Sequence, residues 1–190
     1  MKVVCLGDSN TYGFDPRSYF GGRYDAKHRW VDLLAEKSEW SIVNYGQNGL
    51  SIPCHEYDIP LYDRIISSAK PDLVIIMLGS NDLLQGLEAT AVAKRMENFI
   101  DSLSLDKENL ILLSPVVFTS GAWVEDDRTI DQSFLLGDCL KESAEKLHIK
   151  FIDTRTWDIP LCYDGVHFTE AAHVKFAEHL YNTILAFKEK

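Results

Sequence analysis

D-L-V-I-I-M-L-G-S-N-D, residues 72 to 82, places an unbroken apolar run, Leu73 to Leu78, between an aspartate and a glycine. A strand with one wet face alternates apolar and polar residues. A short run without alternation predicts a strand buried on both faces, the habit of parallel sheets covered by helices on each side. The pattern recurs outward from it at Val3 to Leu6, Ile42 to Tyr45 and Leu110 to Leu113, and in weaker form at Lys150 to Ile152. Between these runs, Trp30 to Lys37, Tyr57 to Ala69, Ala89 to Leu103, Ile130 to Leu147 and Thr169 to Lys188 carry apolar residues at three- and four-residue spacing, with charges between them. The last of these helical segments has Thr169 as its predicted N-cap and Ala172, Phe176, Leu180 and Ile184 as its apolar stripe. Strands alternating with helices imply right-handed crossovers. The expected fold is therefore α/β: a three-layer α/β/α sandwich built on a flavodoxin-like, doubly wound parallel sheet of about five strands.

No internal repeat, low-complexity tract or Pro/Gly/Ser linker divides the 190 residues, so 1–190 is expected to form one domain. Hydrophobic residues at 46% and charged residues at 25% are ordinary for a soluble globular protein. A formal charge of -10 repels polyanions, and no Lys/Arg stripe with interleaved aromatics counters it, which argues against a nucleic-acid partner. The apolar start of MKVVCLGDSN is too short for a secretory signal, and no stretch approaches the length of a membrane span, so no membrane partner is expected. Cys5, Cys54, Cys139 and Cys162 show no CxxC or Cys/His spacing, which argues for reduced thiols in a cytoplasmic protein without a metal site.

In such sheets ligands bind beyond the carboxyl ends of the strands, so the residues that follow each run are the informative ones. The first run ends in G-D-S-N-T-Y-G, residues 7 to 13, which presents Ser9; alone, this is a common turn composition. The second leads into N-Y-G-Q-N-G-L-S, residues 44 to 51, whose glycines let the backbone approach a bound group and aim an N–H at it. The third leads to Asn81, which reads equally well as a cap or turn former. In Y-D-G-V-H-F-T-E, residues 163 to 170, Asp164 precedes His167 by three, close enough to fix the tautomer of the imidazole. By itself that pair is a capping aspartate beside a partly buried histidine. All four segments fall at predicted strand ends on one rim, however, and coincidence is a poor explanation for that.

These segments resemble the conserved blocks of the SGNH hydrolase superfamily, also called GDSL-like esterases and lipases, over nearly the whole chain. By similarity Ser9 takes the place of the Ser, Gly49 of the Gly, Asn81 of the Asn in G-x-N-D and His167 of the His in D-x-x-H. The first block reads G-D-S-N where the commonest form is G-D-S-L. Within the superfamily, G-D-S-N-T-Y-G-F, G-R-Y-D-A-K-H-R-W (residues 22 to 30) and residues 72 to 82 resemble the bacterial arylesterase and acyltransferase branch. The resemblance implies a carboxylic ester hydrolase working through an acyl-enzyme, with acyl transfer to alcohols as a second outcome. Ser9 would be the nucleophile, His167 the base and Asp164 its orienter; the Ser9 and Gly49 N–H groups and the Asn81 amide would form the oxyanion hole. The chain is small for the superfamily and has no insertion from which to build a long acyl tunnel or a lipid-docking lid, so short, acetyl-like acyl groups are expected. Whether the small-molecule substrate is an O-acetylated carbohydrate, an aryl ester, a thioester or a lysophospholipid stays open, as does self-association into a homo-oligomer. The order Ser, Asp, His is also that of the α/β-hydrolases, but Thr11 stands where the second Gly of a G-x-S-x-G elbow would be.

No cofactor or metal is expected. The alternative is a flavodoxin-like nucleotide- or flavin-binding module using the hydroxyls of Ser9 and Thr11, which leaves Gly49, Asn81, Asp164 and His167 without roles. Two long irregular segments, Tyr12 to His28 and Ser114 to Thr129, are candidate pocket walls. Among the aromatics in or near such loops (Tyr12, Phe14, Phe118, Trp123, Trp157), Tyr12 and Trp123 are the candidate substrate contacts. Trp123 stands out because S-G-A-W-V-E-D-D is otherwise small or polar. Asp8 and Asp82 are expected to hold their loops by accepting backbone hydrogen bonds. His28, His55, His148, His173 and His179 lack carboxylates at ligand spacing, and the last two are expected on the polar side of their helix.

Overall fold

Successive side chains of a strand point to opposite faces of a sheet, so each unbroken apolar run feeds two cores at once. The computed structural model, which describes residues 1–18 and 20–188, shows this division directly. Its strands are β1 (Lys2–Gly7), β2 (Ser41–Gly46), β3 (Leu73–Met77), β4 (Leu110–Leu113) and β5 (Lys150–Ile152), all parallel and ordered β2-β1-β3-β4-β5. The helices are α1 (Ser9–Tyr12), α2 (Trp30–Ser38), α3 (Asp58–Ala69), α4 (Ser80–Leu84), α5 (Ala89–Asp101), α6 (Asp127–Leu147) and α7 (Glu170–Lys188). Val3, Cys5, Ile75, Met77 and Ile111 face one core with Trp30 and Leu34 of α2 and Phe176, Leu180 and Ile184 of α7. Val4, Leu6, Val74, Ile76 and Leu112 face the other, with Ile66 of α3, Met96 and Phe99 of α5, and Leu136 and Leu140 of α6. Each such fully buried side chain contributes ~1.5–3 kcal/mol against leaving it in water, so the two cores hold the three layers together.

Going from β1 to β2 the chain moves one way along the sheet, and from β2 it crosses back to β3 on the other side of β1. The reversal puts a crevice between the carboxyl ends of β1 and β3, where open α/β sheets bind ligands. Gly7 pairs with Gly46 of β2 and Met77 of β3, so the segments after these three strands start side by side.

Helix boundaries shift where caps, rather than periodicity, set them. The irregular segment expected to run to Thr129 ends earlier, because the Asp126 side chain accepts from the Thr129 N–H at 2.8 Å and starts α6 at Asp127. Thr169 caps α7 as expected, its hydroxyl accepting from the Ala172 N–H at 3.1 Å. The four- and five-residue helices α1 and α4 carry no periodic stripe and read in the sequence only as turns. One expectation is corrected: His173 does not lie on a polar face but is fully buried, its ring packed against Tyr24 and Phe168. It lies three, four and seven residues from Phe176, Ala177 and Leu180, which places it on the buried side of α7. The four cysteines are free thiols, and among the described residues no helix is long and apolar enough to cross a membrane.

Candidate active site

The Asp8 side chain accepts from the Asn10 N–H at 2.9 Å and so opens α1 immediately after β1, which sets Ser9 at the head of the crevice. Burial pushes the Asp8 carboxyl up to about 6, against the lowering pull of the Asn10 N–H and the His167 charge. The second segment reaches the same place from 158 residues away: His167 Nε2 lies 3.0 Å from Ser9 Oγ. Its Nδ1 lies 2.7 Å from Asp164 Oδ2. Asp164 Oδ1 meanwhile accepts from the Val166 and His167 N–H groups at 2.9 and 3.0 Å, so the carboxylate fixes the loop and the ring together. Burial drives the Asp164 carboxyl up, but the His167 ring, these two N–H groups and the His167 charge outweigh it and hold the group below its ordinary range. All three side chains are almost wholly enclosed, with Ser9 7%, His167 2% and Asp164 0% exposed. The structure thus brings together Ser9, Asp164 and His167 in one hydrogen-bonded chain.

Gly49 and Asn81 arrive from the two neighbouring strands. Gly49 has φ 74, a conformation L side chains rarely adopt, and no atom lies within 4 Å of where a Cβ would stand. Backbone strain, not crowding, therefore demands glycine there. Asn81 Nδ2 donates to the Leu50 carbonyl at 3.0 Å, which ties the amide to the residue next to Gly49 and leaves its second hydrogen for another acceptor. The Ser9 and Gly49 N–H groups have no hydrogen-bond acceptor among the described residues. Asp82 behaves as expected: Oδ2 accepts from the Ile52 N–H and Oδ1 from Arg95 Nη1, each at 3.0 Å, so it anchors the Gly49 loop to α5.

A loop that periodicity cannot describe supplies the wall. Thr119 and Ala122 donate to the Gly165 and Tyr163 carbonyls at 3.1 Å, and Trp123 to the Asp164 carbonyl at 3.0 Å. So close is the approach that a Cβ on Gly121 would meet the Asp164 carbonyl carbon at 2.5 Å. This zipper sets the Trp123 ring edge-on to His167 at 4.9 Å, while Phe14 packs against His167 at 4.7 Å. Trp123 keeps 54% exposure, so its ring faces solvent beside the histidine. Tyr12 is covered instead by the Arg23 guanidinium, 4.4 Å above its ring. Phe118 and Trp157 are core residues. Phe14, one of the loop aromatics, and Asn10 are site neighbours; the sequence signal for Asn10 is an amide at a motif position where leucine is commonest. No three His, Cys, Asp or Glu side chains among the described residues cluster to hold a metal ion.

A family model described as GDSL-like Lipase/Acylhydrolase matches residues 5–175. The chain belongs to that family. No curated protein sequence matches it. Among solved structures it is similar to the native M. smegmatis aryl esterase, with TM-score 0.81 and 20% identity over 97% of this chain and 98% of that one. A carbohydrate acetylesterase from Sinorhizobium meliloti gives TM-score 0.82 at 18% identity, covering 98% and 99% of the two chains. A member of the lipolytic G-D-S-L family from Veillonella parvula gives 0.76 at 23%, covering 96% and 97%. These likenesses establish the fold, and the GDSL family match does not favour the flavodoxin-like module.

Proposed function

We propose that this GDSL-family acylhydrolase is a serine esterase that cleaves short-chain carboxylic esters through an acyl-enzyme on Ser9. The observation that carries the reading is the chain Ser9 Oγ, His167 Nε2, His167 Nδ1, Asp164 Oδ2, with links of 3.0 and 2.7 Å. In that arrangement His167 takes the Ser9 proton as Oγ attacks the ester carbonyl, and Asp164 stabilises the imidazolium that results. The Ser9 and Gly49 N–H groups and the free Asn81 amide hydrogen receive the oxyanion, and being fixed in advance they need no reorganisation. Collapse of the tetrahedral intermediate expels the alcohol, which takes the proton back from His167. Water, or a second alcohol in acyl transfer, then attacks the acyl-enzyme with His167 again as base.

Substrate size follows from the surroundings. From Gly49 opens a cleft of about 340 Å³ lined by apolar residues such as Leu50, Ile52 and Pro53 as well as by Ser51, His55 and Gln85. A cleft of this size and mixed lining suits an acetyl-sized acyl group and a hydroxylated or aromatic alcohol, with Trp123 as a flat wall on the His167 side. The similar structures, an aryl esterase and a carbohydrate acetylesterase, are in keeping with this. The free thiols support a reducing compartment, the cytoplasm. The test is kcat/KM across p-nitrophenyl acetate, butyrate, octanoate and palmitate below micelle formation. We expect a maximum at acetate or butyrate; each methylene a long pocket buries would add up to ~0.8 kcal/mol, so a maximum at octanoate or beyond overturns the short-acyl assignment.

A further inference from the structure

The residue after the nucleophile grips the peptide backbone on both sides of the base. Asn10 Nδ2 donates to the Val166 carbonyl at 3.0 Å and its Oδ1 accepts from the Phe168 N–H at 2.9 Å, so its one amide holds the residues immediately before and after His167. Asn10 is itself fixed at both ends: its N–H donates to Asp8 and its carbonyl accepts from Trp30 Nε1 at 3.0 Å. With 7% exposure, the amide works where water does not compete for its hydrogen bonds. Ser9 and His167 sit on segments 158 residues apart, and Asn10 is the side chain next to Ser9 that bridges them. Leucine, the commonest residue at this place in the resembling motif, can make neither bond.

From this we infer that Asn10 is a positioning residue: its amide clamps the His167 loop to the Ser9 turn and sets the Oγ to Nε2 distance. The inference rests on the reading of Ser9 and His167 as nucleophile and base. It differs from a purely structural role in what it leaves alone. Asp164 holds His167 from within the same loop, so loss of Asn10 opens the gap to Ser9 without dissolving the Asp164–His167 pair.

The test compares wild type with Asn10→Leu and Asn10→Ala, reading kcat and KM for p-nitrophenyl acetate across pH and the rate of inactivation by a fluorophosphonate. Displacement of a reacting pair by about an ångström costs on the order of a hundred-fold, so kcat and the inactivation rate should fall together by roughly ten- to a hundred-fold. KM should stay within about twofold and the acid limb of the pH profile should keep its midpoint. Near-UV circular dichroism of each variant checks that the fold survives, and Asn10→Ala, which removes both bonds without adding bulk, should lose kcat and inactivation rate together as Asn10→Leu does. Wild-type kcat and inactivation in a folded Asn10→Leu overturn the assignment, as does a moved acid limb, which would put the defect in the Asp164–His167 pair. A wild-type protein that resists the fluorophosphonate removes the esterase reading itself, a failure distinguishable from that of Asn10.

Discussion

Two histidines six residues apart, His167 in the loop before α7 and His173 in its first turns, are both buried and otherwise have little in common. His167 stands between a carboxylate and a hydroxyl. His173 accepts a single bond, from the Trp30 N–H at 3.3 Å, and its Nε2 has no hydrogen-bond partner among the described residues. Burial, followed by the Arg29 charge, drives the His173 pKa down to about 3, so it stays a neutral packing element. The contrast lies in the partners: enclosure is common to both rings, and only His167, the proposed base, has a partner on each nitrogen.

The widest gap between the two should appear in turnover. Ser9→Ala or His167→Ala is expected to lower esterase kcat by roughly 10⁴- to 10⁶-fold with the fold retained, since each removes half of the proton-transfer pair. Folded variants that keep near wild-type kcat would break the comparison at its strong end. Asp164→Asn removes the carboxylate and should cost roughly 10³- to 10⁴-fold by favouring the wrong tautomer of His167. An unimpaired variant would move the orienting role elsewhere.

Asn81→Ala should cost about 10²- to 10³-fold in kcat with a smaller change in KM, because the amide meets the oxyanion better than the ground-state carbonyl. A change confined to KM would make Asn81 a binding residue. His173→Asn, which keeps an acceptor near the Trp30 N–H, should leave kcat at neutral pH within about twofold. Its effect belongs to stability. The unfolded His173 takes a proton near 6.5, the ordinary value for histidine, and the folded one only near 3, so stability from neutral His173 is present above that upper value and lost as pH falls. Relative to the variant, wild type should lose up to about 1.4 kcal/mol per pH unit between those limits in denaturant unfolding. The raised Asp8 carboxyl acts with the opposite sign between 3.8 and about 6. Only the difference between the two proteins isolates the histidine, and a pH-independent difference would show that His173 is not held neutral.

The unequal legibility of the two histidines has a physical origin. His167 is legible because Asp164 precedes it by three and because Ser9 and Asn81 follow the buried strands β1 and β3, and Gly49 the half-buried edge strand β2, whose apolar runs announce themselves. The same runs made the order of strands and helices readable from Val3 to Ile184. His173 is harder to place because its residue type points to a polar face, whereas helical spacing sets it among Phe176, Ala177 and Leu180. Other features were hidden because they live in contacts between distant segments: the zipper of Thr119, Ala122 and Trp123 onto Tyr163 to Gly165, and the hold of Asn10 on Val166 and Phe168. No local pattern encodes a hydrogen bond across 156 residues.

The most direct test of the account is the site of covalent labelling by a fluorophosphonate, located by peptide mass spectrometry in wild type, Ser9→Ala, His167→Ala and His173→Asn. The account predicts a single adduct on Ser9, absent in Ser9→Ala, nearly lost in His167→Ala and formed at the wild-type rate in His173→Asn. An adduct on any other serine, or undiminished labelling of His167→Ala, would contradict it.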